Sequence, residues 1–256
     1  MLAMGLLVAA VLSGCTPRDK NTLRVKMDVK DFGDTVVVYG GPEKLQFVGK
    51  DGKFDFEVQV DTPYMALLYH PKLDRGEMDE NIMYYQIPFV GGDEVRISQS
   101  DFERYDVDGT GFYAEYHKVD LFVEDAGREV HELSKKYNEM REDESISEEE
   151  KSAFFEEKIV PANRVFWQAL VVYAKENPKQ EAVVPFLERM GDAGMHKEAF
   201  ASLDASVREG RMKVFYDNWL QDQEKQAKRA ERNAEAAKKQ EAGLVAPAFT
   251  LNDING

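Results

Sequence analysis

Between residues 22 and 110 the apolar positions recur every second residue. Leu23, Val25, Met27 and Val29 alternate with Arg24, Lys26, Asp28 and Lys30, the signature of a strand with one buried face. Thr35 to Tyr39, closed by Gly40-Gly41-Pro42, and Leu45 to Val48 read as two further strands. Lys50-Asp51-Gly52-Lys53 predicts a hairpin turn, after which Phe54, Phe56, Val58 and Val60 alternate again. Tyr64 to Tyr69, Met83 to Val90 and Val95 to Ser98 continue the pattern, with Gly91-Gly92-Asp93 turning the last pair. Short strands separated by glycine turns, with no helix between them, predict an antiparallel β-sandwich over residues 22–110.

The period changes at Gly109-Thr110-Gly111. Tyr116, Val119, Val123, Ala126, Val130, Leu133, Tyr137 and Met140 lie alternately three and four apart, the seam of a long amphipathic helix. Ser147 with Glu150 forms a capping box that opens a second helix, whose seam is Phe155, Ile159, Ala162, Phe166, Ala169 and Tyr173. Pro161 is expected to kink that helix and Asn177-Pro178 to end it. Two matched seams joined by a polar turn predict an antiparallel helical hairpin. Further helices are expected from Lys179 to Met190, around Lys197 to Leu203, and from Arg211 onward.

Beyond Trp219 and Leu220 the chain holds only Gln, Asp, Glu, Lys, Arg, Asn and Ala as far as Ala242. With no large apolar side chain to bury, that stretch reads as a semi-rigid, solvated spacer helix of ~33 Å. The expected fold class is α+β: an N-terminal antiparallel β-sandwich (22–110), an all-helical region (111–210), and a long solvent-exposed terminal helix (211–242).

Composition narrows the partners. The formal charge of -15 over 256 residues disfavours nucleic acids and anionic lipid surfaces, both of which reward clustered Lys and Arg. With 43% hydrophobic residues there is ample material for a core. Cys15 is the sole cysteine, so the chain by itself makes no intramolecular disulfide and carries no Cys-x-x-Cys pair.

The first residues give that cysteine a context. Met1 to Gly14 carry no charge and include the run Leu6-Leu7-Val8-Ala9-Ala10-Val11-Leu12, shorter than the ~20 apolar residues needed to span a bilayer. It reads as the hydrophobic region of a signal peptide, although Met1 to Met4 lack the usual basic start. Leu12-Ser13-Gly14-Cys15 follows and resembles the lipobox of bacterial lipoproteins. The resemblance implies cleavage before Cys15 and its lipidation, with Thr16 to Asn21 as a tether. The anchor then sits in the cell envelope, on an outer membrane facing the periplasm.

The last 14 residues, Gly243 to Gly256, follow the pattern Gly-x-x-Ala-Pro-x-Phe-x-Leu-x-Asp-x-x-Gly. This resembles the opening of the thioredoxin-like domain in membrane-anchored thiol-disulfide oxidoreductases of the TlpA and ResA kind, and in thiol-specific antioxidant peroxidases. Residues Asp51-Gly52-Lys53-Phe54, Pro88-Phe89-Val90 and Gly109-Thr110-Gly111, together with the lipobox, look like the domain that precedes it in many Gram-negative lipoproteins. The resemblance implies that the chain positions a redox domain whose Cys-x-x-Cys lies beyond Gly256, so no catalytic residue is carried onto this sequence. The expected partners are the membrane, through lipid on Cys15, and either substrate proteins or further copies of the chain. The competing reading is a self-contained lipoprotein module that binds a ligand or protein.

Other candidate chemistry reads more simply as structure. His70, His117, His131 and His196 have no metal-ligand spacing, and no metal or cofactor is expected. Asp106-Val107-Asp108-Gly109 matches a fragment of a calcium loop without its downstream Glu and is expected to be a strand-end turn. The acidic run Glu142, Asp143, Glu144, Glu148, Glu149 and Glu150 is expected to be a solvated cap, since paired carboxylates need burial to separate their pKa values. Gly40-Gly41 and Gly91-Gly92 lack the Lys-Ser/Thr of a phosphate loop. Tyr64, Tyr69, Tyr84, Tyr85 and Phe89 are assigned to core packing ahead of a ligand surface.

Overall fold

The computed structural model describes residues 19–72, 84–99 and 105–240. Cys15 and its lipobox, the tether up to Arg18, and the Gly243–Gly256 stretch lie outside the described residues. Described residues up to Phe215 belong to one compact unit, and those from Tyr216 onward to a second.

Among the described residues the first unit opens with eight strands: β1 (Thr22–Asp28), β2 (Thr35–Tyr39), β3 (Leu45–Val48), β4 (Lys53–Gln59), β5 (Tyr64–Tyr69), β6 (Tyr84–Phe89), β7 (Glu94–Gln99) and β8 (Tyr105–Gly109). They form two four-stranded sheets, ordered β4-β1-β7-β8 and β3-β2-β5-β6. The α+β architecture read from the sequence is therefore the one found, with one parallel pairing, β1 on β7, among otherwise antiparallel neighbours. The sheets face each other through aromatic contacts. Phe47 of β3 stacks on Phe56 of β4 with centroids 3.8 Å apart, and Tyr85 of β6 lies 4.1 Å from Tyr105 of β8.

Alternation explains β1, where Leu23, Val25 and Met27 are buried. In β2 the run Val36-Val37-Val38 is buried throughout, because that strand is covered on both faces. The expected turn at Lys50–Lys53 is present: Lys50 and Lys53 form a bridge, and Asp51 and Gly52 take φ of 52° and 77°. Both central residues at positive φ make this the tight turn that Asp-Gly favours. Its flanking strands nevertheless part into opposite sheets, so the turn is a corner of the sandwich and not the end of a long ladder.

Helix α1 (Phe112–Glu142) begins where the period changes. Its N-terminus is joined to the sheets by Tyr113, whose buried hydroxyl donates to Pro88 O at 2.9 Å and accepts from Val90 N at 3.1 Å. The capping box forms as read, with Ser147 and Glu150 each accepting the other's backbone N–H at the start of α2 (Glu148–Phe154). A π turn, Phe155–Ile159, then carries the chain directly into α3 (Val160–Glu176). Pro161 explains the wider turn, because its ring and missing N–H conflict with a regular α bond to the preceding turn. Asn177 caps the end, as expected. Helices α1 and α3 pack through pairs such as Phe122 on Tyr173, centroids 4.4 Å apart.

The expected helix from Lys179 to Met190 is corrected. The segment is a 3-10 turn (Glu181–Val183) and a single-turn α4 (Val184–Leu187), with Pro185 in the first turn, where its missing N–H costs nothing. The helix expected around Lys197 to Leu203 begins earlier, as α5 (Ala193–Ser202), with Gly194 in its first turn, because Asp192 accepts from Gly194 N and Met195 N at 2.9 Å each. Asp204 caps α6 (Ala205–Arg208) in the same way. The last helix, α7 (Lys213–Gln240), has 28 residues and is ~42 Å long. From Gln221 to Lys238 its side chains are exposed, except for half-buried Gln223.

Candidate functional site

Most residues singled out from the sequence are absorbed by the scaffold. His70 Nδ1 accepts from Lys72 N at 3.1 Å, His117 Nδ1 lies 3.1 Å from Val107 O, and His131 is exposed on α1. His196 is 1% exposed, and burial lowers its pKa to about 4, so the folded protein holds it neutral. Among the described residues, no three His, Cys, Asp or Glu side chains gather as a metal site.

Asp106-Val107-Asp108-Gly109 is not a turn but part of edge strand β8. Its Asp108 takes Arg96 of β7 at 3.0 Å, which is cross-strand pairing and not a calcium loop. The acidic run lies around the α1–α2 turn, where Asp143 accepts from the Ser145 hydroxyl and backbone N–H, and its pKa falls accordingly. Tyr85 and Phe89 are fully buried and Tyr69 nearly so, whereas Tyr84 is exposed. The glycine pairs meet neighbouring backbone: Gly92 N donates to Thr22 O at 3.1 Å, and Met65 O lies where a Cβ on Gly40 would project.

Among the described residues, two clefts are built from side chains outside those motifs. The first lies between the start of α1 and the 3-10 turn, lined by Phe112, Glu115, Asn177, Lys179, Gln180 and Glu181. Arg211 closes the arrangement. Its guanidinium pairs with Glu181, reaches Gly91 O at 3.3 Å and lies 5.8 Å from the Phe112 ring centre. Glu115 accepts from Lys118 at 2.6 Å and from Gln180 at 2.8 Å, and these bonds lower its pKa. Asp93 accepts from Phe112 N at 3.0 Å, placing a carboxylate at the positive end of α1. Arg211 with Glu181 and Lys118 with Glu115 pair cations with carboxylates here, an arrangement suited to clamping helix, turn and sheet together.

The second cleft is a groove of about 440 Å³ between α1 and α3, lined by Phe122, Val165, Ala169, Val172 and Tyr173 and edged by Arg164, Gln168 and Glu176. Val165 is 67% and Val172 46% exposed. The sequence seam placed Ala162, Phe166, Ala169 and Tyr173 toward the partner helix. Ala162 is buried as read, but burial is deepest off that seam, at Leu170, Val171 and Ala174, because α3 is packed by α5 as well as by α1. Val165 and Val172, one heptad apart and off the seam, were the available signal for the groove.

Comparisons of the chain with protein-family models, with curated proteins and with solved structures found no match. The groove and the clamp are read from their own chemistry. No described helix is long and apolar enough to cross a membrane.

Proposed function

We propose that the chain is a lipid-anchored, non-catalytic module that positions a C-terminal thioredoxin-like thiol-disulfide oxidoreductase domain in the cell envelope. The observation that carries this reading is α7. A helix of 28 residues exposing nearly every side chain past Leu220 has little apolar area to bury and serves as a spacer. It leads toward the Gly243–Gly256 stretch, whose pattern resembles the first residues of such a domain. Cys15, the chain's single thiol, is the proposed site of lipid attachment, and redox chemistry then belongs to the following domain.

Two measurements test the reading. Cells making the protein and fed a clickable fatty acid are expected to label the wild type but not Cys15→Ser; an unlabelled wild type removes the anchor. The gene is expected to continue in frame past Gly256 and encode a Cys-x-x-Cys between a strand and a helix. A stop codon at that point removes the redox half of the proposal. A self-contained binding module is the second reading, favoured by the exposed groove on α1 and α3.

A further inference from the structure

The outward face of α3 carries the row Arg164, Gln168, Val172 and Glu176. These residues lie four apart and form one ridge ~18 Å long, and all four are exposed. Val165 and Ala169 flank the ridge and form the apolar side of the groove. Among the described residues Arg164 and Glu176 make no ion pair, so a cation stands at one end of the ridge and a carboxylate at the other, with a neutral centre.

We propose that this ridge is a homodimerisation surface, on which α3 of a second copy packs in the opposite direction across a two-fold axis. Ridges of residues four apart interdigitate when two helices cross at ~50°. A two-fold axis in the interface can align the two ridges in only two ways: with the same direction or reversed. The same direction sets Arg164 on Arg164 and Glu176 on Glu176. The reversed one sets Arg164 on the second copy's Glu176 at both ends, with Gln168 against Val172 between them, and buries both copies of Val165 and Val172.

Charge argues for this occupant. With a net charge of -15, two copies repel unless they meet on a locally balanced face, and this ridge carries one charge of each sign, arranged to complement itself. The face is small, so the dimer is reversible. This inference does not depend on the anchor or on a redox partner.

Sedimentation velocity on the whole chain tests it, in mild detergent so that the apolar leader does not itself drive association. The wild-type mass is expected to climb toward twice the monomer value as concentration rises. Val172→Glu is expected to stay monomeric with an unchanged circular dichroism spectrum and melting temperature. Arg164→Glu turns two attractive pairs into two repulsive ones and is expected to weaken association about five- to tenfold. Adding Glu176→Arg to that variant restores opposite charges and is expected to recover the wild-type constant. A wild type that stays monomeric throughout, or an Arg164→Glu defect that the double variant fails to repair, overturns the proposal. Association that Val172→Glu leaves intact, or binding only to an unrelated protein, does so as well.

Discussion

Tyr113 shows how one side chain joins two kinds of structure. Its hydroxyl serves the backbone of Pro88 and Val90, a proline carbonyl and a strand-end N–H, in a fully buried setting that raises its own pKa. Tyr113→Phe keeps the ring but leaves both backbone groups dry and unsatisfied. It is expected to lower unfolding free energy by about 1–3 kcal/mol, read from urea titration, with secondary structure unchanged. His196 acts through the opposite kind of burial. Its folded pKa of about 4 lies below the unfolded value of 6.5, so protons bind the unfolded state more tightly as pH falls. The contribution of a neutral His196 is complete above pH ~6.5 and is lost as pH falls toward the folded value. Comparing melts at pH 7 and pH 5, His196→Gln is expected to lose about 2 kcal/mol less stability on acidification than the wild type. Equal losses would show that the imidazole is not the group responsible.

At the scale of elements, the joints decide more than the interiors. Helix α1 starts at Gly111, whose φ of 53° and contact with Asp93 leave no room for a side chain: a Cβ there would lie 2.0 Å from Asp93 Oδ1. Gly111→Ala is expected to displace the Asp93 cap from Phe112 N and to destabilise the fold by more than 1 kcal/mol, ~1 of it from the backbone conformation alone. Ser147→Ala breaks the reciprocal cap of α2 at an exposed site, with an expected loss of about 1 kcal/mol seen in thermal melts. The capping box was legible because it is local, Ser147 and Glu150 being three residues apart. Asp192 and Asp204 cap their helices by the same chemistry, but no apolar seam follows them closely enough to reveal it. Asp106 to Gly109 was misread for a related reason. An Asp-rich strand is unfavourable on propensity alone, and it holds its place through its ladder with β7 and the burial of Val107, with Arg96 pairing Asp108 across that ladder.

At the scale of the molecule, the exposed length of α7 predicts that it contributes little to the stability of what precedes it. Deleting seven residues, Arg229 to Glu235, shortens the helix by ~10 Å and removes only exposed side chains. The unfolding midpoint is expected to move by less than about 0.5 kcal/mol equivalent, measured by calorimetry on the whole chain. A larger fall would show that the helix is part of the folded core rather than a spacer.

What the sequence by itself determined was everything set by local periodicity: the alternation of β1 and β4, the turn at Asp51-Gly52, the long seam of α1, the capping box at Ser147 and the polar run of α7. Each is a pattern of side chains within a few residues of one another, so it can be read before anything is known of what packs against it, although most of its stabilisation comes from that packing. Tertiary structure alone decided which sheet each strand joined, because the Lys50–Lys53 turn can close a hairpin or a corner with the same residues. It also decided that β1 and β7 run parallel, and that Arg211 meets Glu181, Gly91 and Phe112 across long stretches of chain. It left Val165 and Val172 exposed, because a helix seam tells which face is apolar, not how many neighbours will come to cover it.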